Sequence, residues 1–308
     1  MTAISALGKY EILQQLGAGS MGMVYRARDT VLDRYVALKV MRTESQSFPE
    51  MSERFSREAR ACAKLHHQNI VTIYDFGEAE NSSYIVMELL EGSDWRAILK
   101  HKTILGLGLK VDLMAQVCDG LAHAHQAGIV HRDLKPSNFF VHLGNQAKIL
   151  DFGLVKLSTS VLTRTGMVLG TPNYMAPEQI TGQKCDARSD MFSAAIVFYE
   201  FLTSFHPFQA PFIPKRIATD RPDPIGEIAP GLPILLQDAI SRGLEKDPDL
   251  RFHSAEEFAL ALRDAAEGLD EDGSSGPTNS NAANFDGGTQ SISLDETVAM
   301  PAPKPSKE

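Results

Sequence analysis

The chain has 308 residues, and its 30 basic and 39 acidic side chains give a formal net charge of −9. Hydrophobic residues make up 43% and charged residues 22%, which is ordinary for a globular protein, and the length is sufficient to bury a core. The negative balance argues against a dedicated nucleic-acid binder, whose binding face is normally basic. It still allows a small anionic ligand, because a few local cations and backbone amides can bind one inside an acidic protein.

The cysteines and the apolar stretches indicate the compartment. The three cysteines lie far apart, without the CxxC spacing of a metal or redox site, which is typical of a reducing compartment: Cys62, Cys118 and Cys185. Charged residues come too early for a secretory signal peptide, and the most apolar stretch, 192–202, is too short to cross a bilayer. The sequence therefore predicts a soluble, cytoplasmic chain.

Strand-like alternation and β-branched runs dominate the first ninety residues. The predicted strands cover residues 10–16, 23–29, 34–41, 70–77 and 84–90, and a helix is predicted over 50–66. GAGSMG, a G-x-G-x-x-G pattern at 17–22, opens a strand rather than the helix of a dinucleotide-binding turn, so it predicts a loop between strands. Its glycines, Gly17, Gly19 and Gly22, would let the backbone approach phosphates, and a simple flexible loop is the alternative.

Helices dominate from about residue 109. Apolar residues at helical spacing predict a long helix that ends at Gly128, and Ser254 with Glu257 form a capping-box pattern that opens another. A strand-rich front and a helix-rich back predict an α+β protein of two packed lobes. From residue 268 onward, two lysines against seven acidic residues leave the tail at −5. Low hydrophobicity with like charge predicts that this tail is disordered.

Lys39 and Glu58 are charged residues in apolar surroundings. Lys39 lies inside the strand VALKV, and Glu58 falls on the same helix face as Phe55 and Cys62. A carboxylate on an inward apolar face needs a partner, and Lys39 is the nearest cation in the strands that this helix must cover. The sequence therefore predicts a Lys–Glu pair that orients phosphate. A lysine that reaches solvent from a strand edge is the alternative.

Two short segments, VHRDLKPSN at 130–138 and KILDFG at 148–153, gather polar groups between apolar ones. Asp151 and the Asn138 amide are oxygen ligands of the kind that a Mg²⁺–nucleotide site requires. Asp133 would orient an attacking hydroxyl and accept its proton, and Lys135 would neutralise charge on a transferred phosphoryl group. The alternative is a loop of buried ion pairs that maintains the fold.

The histidines are predicted to be structural. His123 and His125 are two residues apart in a helix and so point about 200° apart, which prevents them from sharing a metal ion. We expect the same structural role for His131.

With these segments the chain resembles a eukaryotic-type protein kinase, in detail a bacterial Hanks-type serine/threonine kinase, over residues 10–266. The matching segments are GAGSMGMV at 17–24, VALK at 36–39, Glu58, HRDLKPSN at 131–138, DFG at 151–153, GTPNYMAPE at 170–178 and Arg251. The resemblance implies a bilobal kinase-like fold: a small β-rich N-lobe with one key helix (1–87), a hinge (88–91), a larger helical C-lobe (92–267) and the acidic tail (268–308). Ala195 stands where a glycine is common in this family.

The resemblance implies ATP as cofactor, with Mg²⁺ or alternatively Mn²⁺ held by Asn138 and Asp151. In such kinases Asp133, Lys135, Asn138, Lys39 and Glu58 form the catalytic set. The positions implied to contact ATP are Leu16, Gly17, Gly19, Gly22, Val24, Ala37, Lys39, Met87, Glu88 and Leu90. Asp190 resembles the residue that braces the HRD backbone, and Glu178 the partner of Arg251.

The implied activity is transfer of the ATP γ-phosphate to serine or threonine hydroxyls of proteins. Lys135 and the substrate-loop residue Thr171 favour this class over tyrosine kinases. Arg132 precedes the catalytic aspartate, as in kinases ordered by a phosphate on the activation loop, and Thr163 and Thr165 are the candidate autophosphorylation sites.

The implied partners are protein substrates, a homodimer through the N-lobe and, for Thr297 in the tail, a phosphothreonine-binding domain. Many relatives carry a membrane anchor after such a linker, so the chain is also consistent with the cytoplasmic portion of an anchored kinase. Two alternatives stay open: a nucleotide-binding pseudokinase scaffold and a small-molecule phosphotransferase. A pseudokinase would bind nucleotide without transferring phosphate, and a small-molecule phosphotransferase would transfer phosphate to a small hydroxyl compound.

Overall fold

The alternating apolar residues of the first ninety positions build one antiparallel sheet. The computed structural model describes residues 6–19, 22–41, 60–79, 82–152, 172–209, 211–267 and 269. The strands of the sheet are β1 (Ala6–Leu7), β2 (Tyr10–Gly19), β3 (Gly22–Asp29), β4 (Arg34–Met41), β5 (Ile73–Ala79) and β6 (Ser82–Met87). They lie in the order β1-β2-β3-β4-β6-β5. Of the predicted helix 50–66, residues 60–62 are helical, and residues 50–59 lie outside the described part.

Strand β4 shows how the sheet separates two apolar layers. Side chains alternate between faces along a strand, and Val36, Leu38 and Val40 join one buried cluster whereas Ala37 joins another. Lys39 shares the face of Ala37 and is 7% exposed. The sheet therefore directs a nearly buried ammonium group towards the second layer.

Two predicted strands, 70–77 and 84–90, include residues that are not part of a strand in the structure. The stretch 70–77 begins as a strand only at Ile73, and 84–90 ends at Met87. The cause lies in hydrogen bonding, because Asn69 O accepts from Ile149 N (2.8 Å) and Val71 N donates to Ile149 O (3.0 Å). The residues before β5 thus bond to a strand of the following lobe instead of extending the sheet.

The carboxyl-terminal part is mainly helical and carries a small second sheet. Its strands, in the order β7-β8-β9, are β7 (Gly92–Asp94), β8 (Phe139–His142) and β9 (Gln146–Ile149). The helices in the described residues are α1 (Trp95–His101), α2 (Leu107–Gln126), α3 (Pro177–Ile180), α4 (Ala187–Thr203), α5 (Ile213–Thr219), α6 (Ile225–Ile228), α7 (Ile234–Gly243) and α8 (Ala255–Ala266). Within the described residues, none of them has the length and apolar character to cross a membrane.

Helix ends follow the predicted caps, with one correction. Gly128 takes φ +75° just after α2, a backbone conformation that favours glycine. The Ser254 hydroxyl accepts from Glu257 N (3.2 Å) at the start of α8. The reciprocal bond of the predicted capping box is absent, because the Glu257 carboxylate accepts from His253 N (2.7 Å) instead of Ser254 N. The predicted cap at Ser254 is therefore confirmed, and the predicted return bond from Glu257 is wrong.

Helix α4 forms the centre of the larger lobe. Every residue from Ser189 to Tyr199 is buried, as expected for a helix covered on all sides. Trp95 of α1 stacks on Phe201 with ring centroids 3.9 Å apart and lies edge-on to Phe139 at 5.0 Å. A polar side chain inside this helix must find partners in the chain, and Asp190 finds them in the loop that contains His131 and Arg132.

Candidate active site

Asp190 lies fully buried near the amino-terminal end of α4 and binds three donors. Its carboxylate accepts from His131 N (2.7 Å), Arg132 N (2.8 Å) and His125 Nε2 (2.8 Å). Arg132 has φ +66°, a left-handed backbone that is unfavourable for residues other than glycine. The bonds to Asp190 hold the backbone before Asp133 in this conformation.

The loop that follows brings Asp133, Lys135 and Asn138 together. Lys135 Nζ donates to Asp133 Oδ2 (2.7 Å), and Asn138 Nδ2 donates to Asp133 O (2.7 Å). A 3-10 turn at Pro136–Asn138 folds the segment back on itself. A carboxylate with an adjacent ammonium group is thus presented at the surface of the larger lobe, since both side chains are partly exposed.

Asp151 lies on the second loop, beside Lys39 of β4. Lys39 Nζ and Asp151 Oδ2 are 2.7 Å apart, and Asp151 takes φ +59°. Burial by itself raises the pKa of the Asp151 carboxyl, but the charge and hydrogen bond of Lys39 outweigh it and hold the pKa below its ordinary value. Asp151 is therefore ionised at neutral pH.

Backbone bonds join the two loops. Leu150 N donates to Asn138 O (2.9 Å), and His131 Nε2 lies 2.8 Å from Leu150 O. Asn138 uses its amide nitrogen for Asp133 O, which leaves its oxygen as the ligand atom of that side chain. An ionised carboxylate and an amide oxygen on adjoining loops match the oxygen ligands that Mg²⁺ prefers, so these residues fit the metal implied by the resemblance.

The residues expected around adenine lie mostly in one apolar layer. Ala37 and Met87 belong to the same buried cluster, and Val24, Leu89 and Leu90 pack against it. Leu16 is not part of this cluster and lies at a register shift between β2 and β3. Glu88 N donates to Thr72 O (2.9 Å), so this N–H is already used inside the chain.

The glycine segment joins two paired strands, as its sequence predicts, but the predicted loop 17–22 is too long, because Gly17 and Gly19 lie within β2 and Gly22 within β3. Gly19 and Gly22 face each other at the end of the β2–β3 ladder. Gly22 takes φ +156°, and an added Cβ would lie 2.0 Å from Val40 O. Gly22 is therefore required for the pairing of β3 with β4, whatever its part in phosphate binding.

Several predicted site residues lie outside the described part of the chain: Glu58, Thr163, Thr165 and Thr171. The Lys39–Glu58 pair stays a prediction for this reason, and within the described residues the ammonium of Lys39 bonds to Asp151. The expected disordered tail also lies almost wholly outside the described residues.

The segment after residue 171 is anchored to the larger lobe. Glu178 forms a two-point pair with Arg251 at 2.8 and 3.0 Å, as predicted. Tyr174 Oη donates to Glu200 Oε2 (2.8 Å), and His206 Nε2 lies 2.9 Å from Asn173 O. These last contacts join residues far apart in the sequence.

Several polar residues that support the site were not expected from the sequence: Lys148, Gln179, Glu200 and His206. One of them carried a usable pattern. Lys148 sits in an apolar strand just as Lys39 does, and the same argument predicts a carboxylate partner, which the structure identifies as Glu88 at 2.9 Å. The others lie in segments with no pattern that singles them out.

His123 and His125 point to different partners, as their spacing in the helix predicts. His123 stacks on His67 with ring centroids 5.1 Å apart, whereas His125 turns to Asp190. Among the described residues, no group of three or more histidine, cysteine, aspartate or glutamate side chains is placed to hold a metal ion.

Comparison with known proteins places the chain in a family. Residues 10–255 match the protein kinase domain. The chain is 38% identical over 274 residues to the serine/threonine-protein kinase pkn3 of Myxococcus xanthus, covering 83% of this chain and 49% of pkn3. It is 36% identical over 265 residues to PknA of Mycobacterium tuberculosis, covering 84% of this chain and 62% of PknA.

Solved structures agree with this match. The crystal structure of the PknI kinase domain of Mycobacterium tuberculosis superposes with a TM-score of 0.70 at 26% identity, covering 86% of this chain and 99% of that domain. The chain thus spans about half of pkn3 and less than two thirds of PknA, but nearly all of an isolated kinase domain. The chain belongs to the protein kinase family and carries a catalytic domain of the bacterial, eukaryotic-like type.

Proposed function

We propose that this chain is an ATP-dependent serine/threonine protein kinase that transfers the γ-phosphate of ATP to protein hydroxyls. The observation that supports it most strongly is the convergence of Lys39, Asp151 and Asn138 beside Asp133. The first comes from the sheet of the smaller lobe and the others from two joined loops of the larger lobe. The named relatives are serine/threonine-protein kinases, which is the class that Lys135 favours.

Each residue has a separate task in this proposal. Asp133 orients the substrate hydroxyl and accepts its proton. Lys135, 2.7 Å from Asp133, places positive charge where negative charge grows on the transferred group. Lys39 positions the phosphates, and Asp151 holds Lys39 in place. Adenine is enclosed by four apolar side chains, those of Leu16, Val24, Ala37 and Met87. The backbone groups of Glu88 and Leu90 other than the Glu88 N–H bind the edge of the base.

Asn138 and Asp151 would hold the divalent cation, Mg²⁺ or alternatively Mn²⁺. Bound there, the ion would neutralise phosphate charge and fix the nucleotide for in-line transfer. The chain's own part is to keep Asp151 ionised through Lys39 and to turn the Asn138 oxygen towards the cation by using its nitrogen for Asp133 O.

The proposal extends to regulation and partners. Thr163 and Thr165 are proposed sites of autophosphorylation, and Thr297 is a proposed ligand for a phosphothreonine-binding domain. Homodimerisation through the smaller lobe and a cytoplasmic location, free or anchored, complete the proposal. The protein substrates are defined here only by their serine or threonine hydroxyls.

Transfer of radiolabelled phosphate to a generic protein substrate tests this function. We expect transfer by the wild type and a loss of about 100-fold or more in Lys39→Met, Asp133→Asn and Asp151→Asn, since each change removes charge from the reacting centre. The melting temperature of Asp133→Asn should stay near that of the wild type, which separates lost chemistry from lost folding.

The same assay distinguishes the alternatives. Nucleotide binding without transfer would support a pseudokinase scaffold, and phosphorylation of small hydroxyl compounds without protein would support a small-molecule phosphotransferase. Wild-type transfer rates in Asp133→Asn would contradict the role of that residue.

A further inference from the structure

Arg132 precedes the proposed catalytic base, and its backbone needs support on both sides. Its φ of +66° is unfavourable for an arginine. The N–H before its Cα is held by Asp190 (2.8 Å), as the resemblance implies. The peptide group that follows leads into Asp133, and its N–H donates to His131 Nδ1 (3.3 Å), which leaves its carbonyl for another partner.

Gln179 of α3 binds that following peptide group. Its Nε2 donates to Arg132 O over 2.9 Å, from a position 47 residues along the chain. Arg132 is thus held at its N–H by α4 and at its carbonyl by α3. Rotation of the Arg132 backbone towards a more favourable conformation would break one or both of these bonds.

The orientation of the Gln179 side chain is fixed by a second bond. Ala176 N donates to Gln179 Oε1 over 2.8 Å, which assigns the oxygen to that side and the nitrogen to Arg132. The preceding residue, Glu178, is 6% exposed and paired with buried Arg251, so the backbone that carries Gln179 is itself anchored. The amide therefore acts as a rigid link between two segments.

We propose that Gln179 is a positioning residue for phosphoryl transfer: its amide joins the segment 172–180 to the catalytic loop and fixes the direction of Asp133 through the carbonyl of Arg132. This inference rests on the proposed kinase function. It adds a residue that acts on the catalytic base through one peptide group, opposite to Asp190.

Three variants test the link. Gln179→Ala removes the amide, and Gln179→Glu keeps its shape but places a carboxylate against the Arg132 carbonyl. Gln183→Glu is the control, because it adds the same charge at an exposed position four residues away, and its side chain is not part of the link.

At pH 7.5 we expect kcat to fall about tenfold in Gln179→Ala and further in Gln179→Glu, the loss that one hydrogen bond can cause. The KM for ATP and the melting temperature should stay at their wild-type values. Lower pH should restore activity to Gln179→Glu relative to the wild type, because a protonated carboxyl can again donate to Arg132 O. Gln179→Ala should show no such recovery.

A second measurement does not depend on activity. Hydrogen exchange at the Arg132 amide should be faster in Gln179→Ala than in the wild type and unchanged in Gln183→Glu, because the left-handed backbone loses the bond at its carbonyl. A wild type without transfer would refute the proposed function, and exchange would still decide the role of Gln179. Wild-type kcat and wild-type exchange in Gln179→Ala would refute the link, and a kcat loss matched by a lower melting temperature without acid recovery would reduce it to a structural contact.

Discussion

At the scale of single residues, the Glu178–Arg251 pair makes stability depend on a buried carboxylate and a buried guanidinium. Both side chains are almost fully buried, and Arg251 also donates to the carbonyls of Glu245, Lys246 and Arg188. Removing one partner of a buried pair leaves the other charge uncompensated, which costs more than the pair contributes. Such a pair makes the folded state depend on the ionisation of Glu178.

Glu178→Gln should lower the free energy of unfolding by about 3 kcal/mol, because the Arg251 charge stays buried without its counter-charge. The measurement is chemical denaturation at pH 7. Ser189→Ala is the matched control, since it removes a hydrogen bond to Glu178 (2.7 Å) but keeps the charge, and it should cost about 1 kcal/mol. A smaller loss in Glu178→Gln than in Ser189→Ala would contradict the importance of the ion pair.

The pH dependence follows from the same residue. Burial raises the pKa of Glu178, but the hydrogen bonds of Arg251 and Ser189 outweigh it and hold the pKa below its ordinary value. A depressed pKa means that this stabilisation is complete above the unfolded-state pKa, near 4.5, and is lost as pH falls through the folded-state pKa. The wild type should therefore lose more stability than Glu178→Gln between pH 6 and about 3. Equal losses would refute the assignment.

Individual residues also show what the sequence could and could not reveal. Lys39, Asp133 and Asp151 stand in short motifs whose spacing indicates their chemistry, and the structure brings Lys39 to Asp151 across 112 positions. Gln179 and His206 stand in no such pattern. Their partners, Arg132 and Asn173, are 47 and 33 positions away, and only the folded chain brings these groups together.

At the scale of elements, the contact between α4 and α7 depends on one missing side chain. An added Cβ at Gly243 of α7 would lie 2.7 Å from the Cβ of Ala195 on α4 and 3.2 Å from the ring of Phe258. The close approach of α4 and α7 therefore requires a residue without a side chain at position 243.

Gly243→Ala should destabilise the protein by about 2 kcal/mol, since overpacking forces two helices apart. Combining it with Ala195→Gly should recover part of this loss, because the space moves to the other helix. A double-mutant cycle by chemical denaturation measures the coupling. Additive effects of the two changes would show that the Cβ–Cβ contact does not limit the packing.

Element boundaries were harder to predict than element types. The alternation of apolar residues identified β5 and β6 but could not show that 69–71 bond to β9 or that Glu88 N bonds to Thr72 O. The half-formed capping box at α8 has a similar cause. The Glu257 carboxylate can reach more than one backbone N–H, and His253 N is the one it binds.

At the scale of the whole molecule, several site residues form hydrogen bonds and ion pairs that connect the first ninety residues with the larger lobe, within the part of the chain that the structure describes. Lys39 reaches Asp151, Lys148 reaches Glu88, and Ile149 of β9 bonds to Asn69 and Val71. Lys148 is buried and Glu88 partly so, and Glu88 also accepts from Thr72 N (3.3 Å). The proposed adenine site is thus held by the same bonds that connect the lobes.

The two-lobed architecture could be predicted from the order of strands and helices, and the family match confirms it. The divisions at 87, 91 and 267 stay predictions. The net charge of −9 indicated nothing about ATP, because over half of it lies in the tail and the site depends on a few placed charges.

Mass spectrometry of the purified chain after incubation with Mg–ATP tests most directly whether the chain transfers phosphate to serine and threonine. We expect phosphate on serine or threonine residues of the wild type, with Thr163 or Thr165 among them, and none on Asp133→Asn. An unmodified wild type, phosphate on tyrosine alone, or equal modification of Asp133→Asn would contradict it.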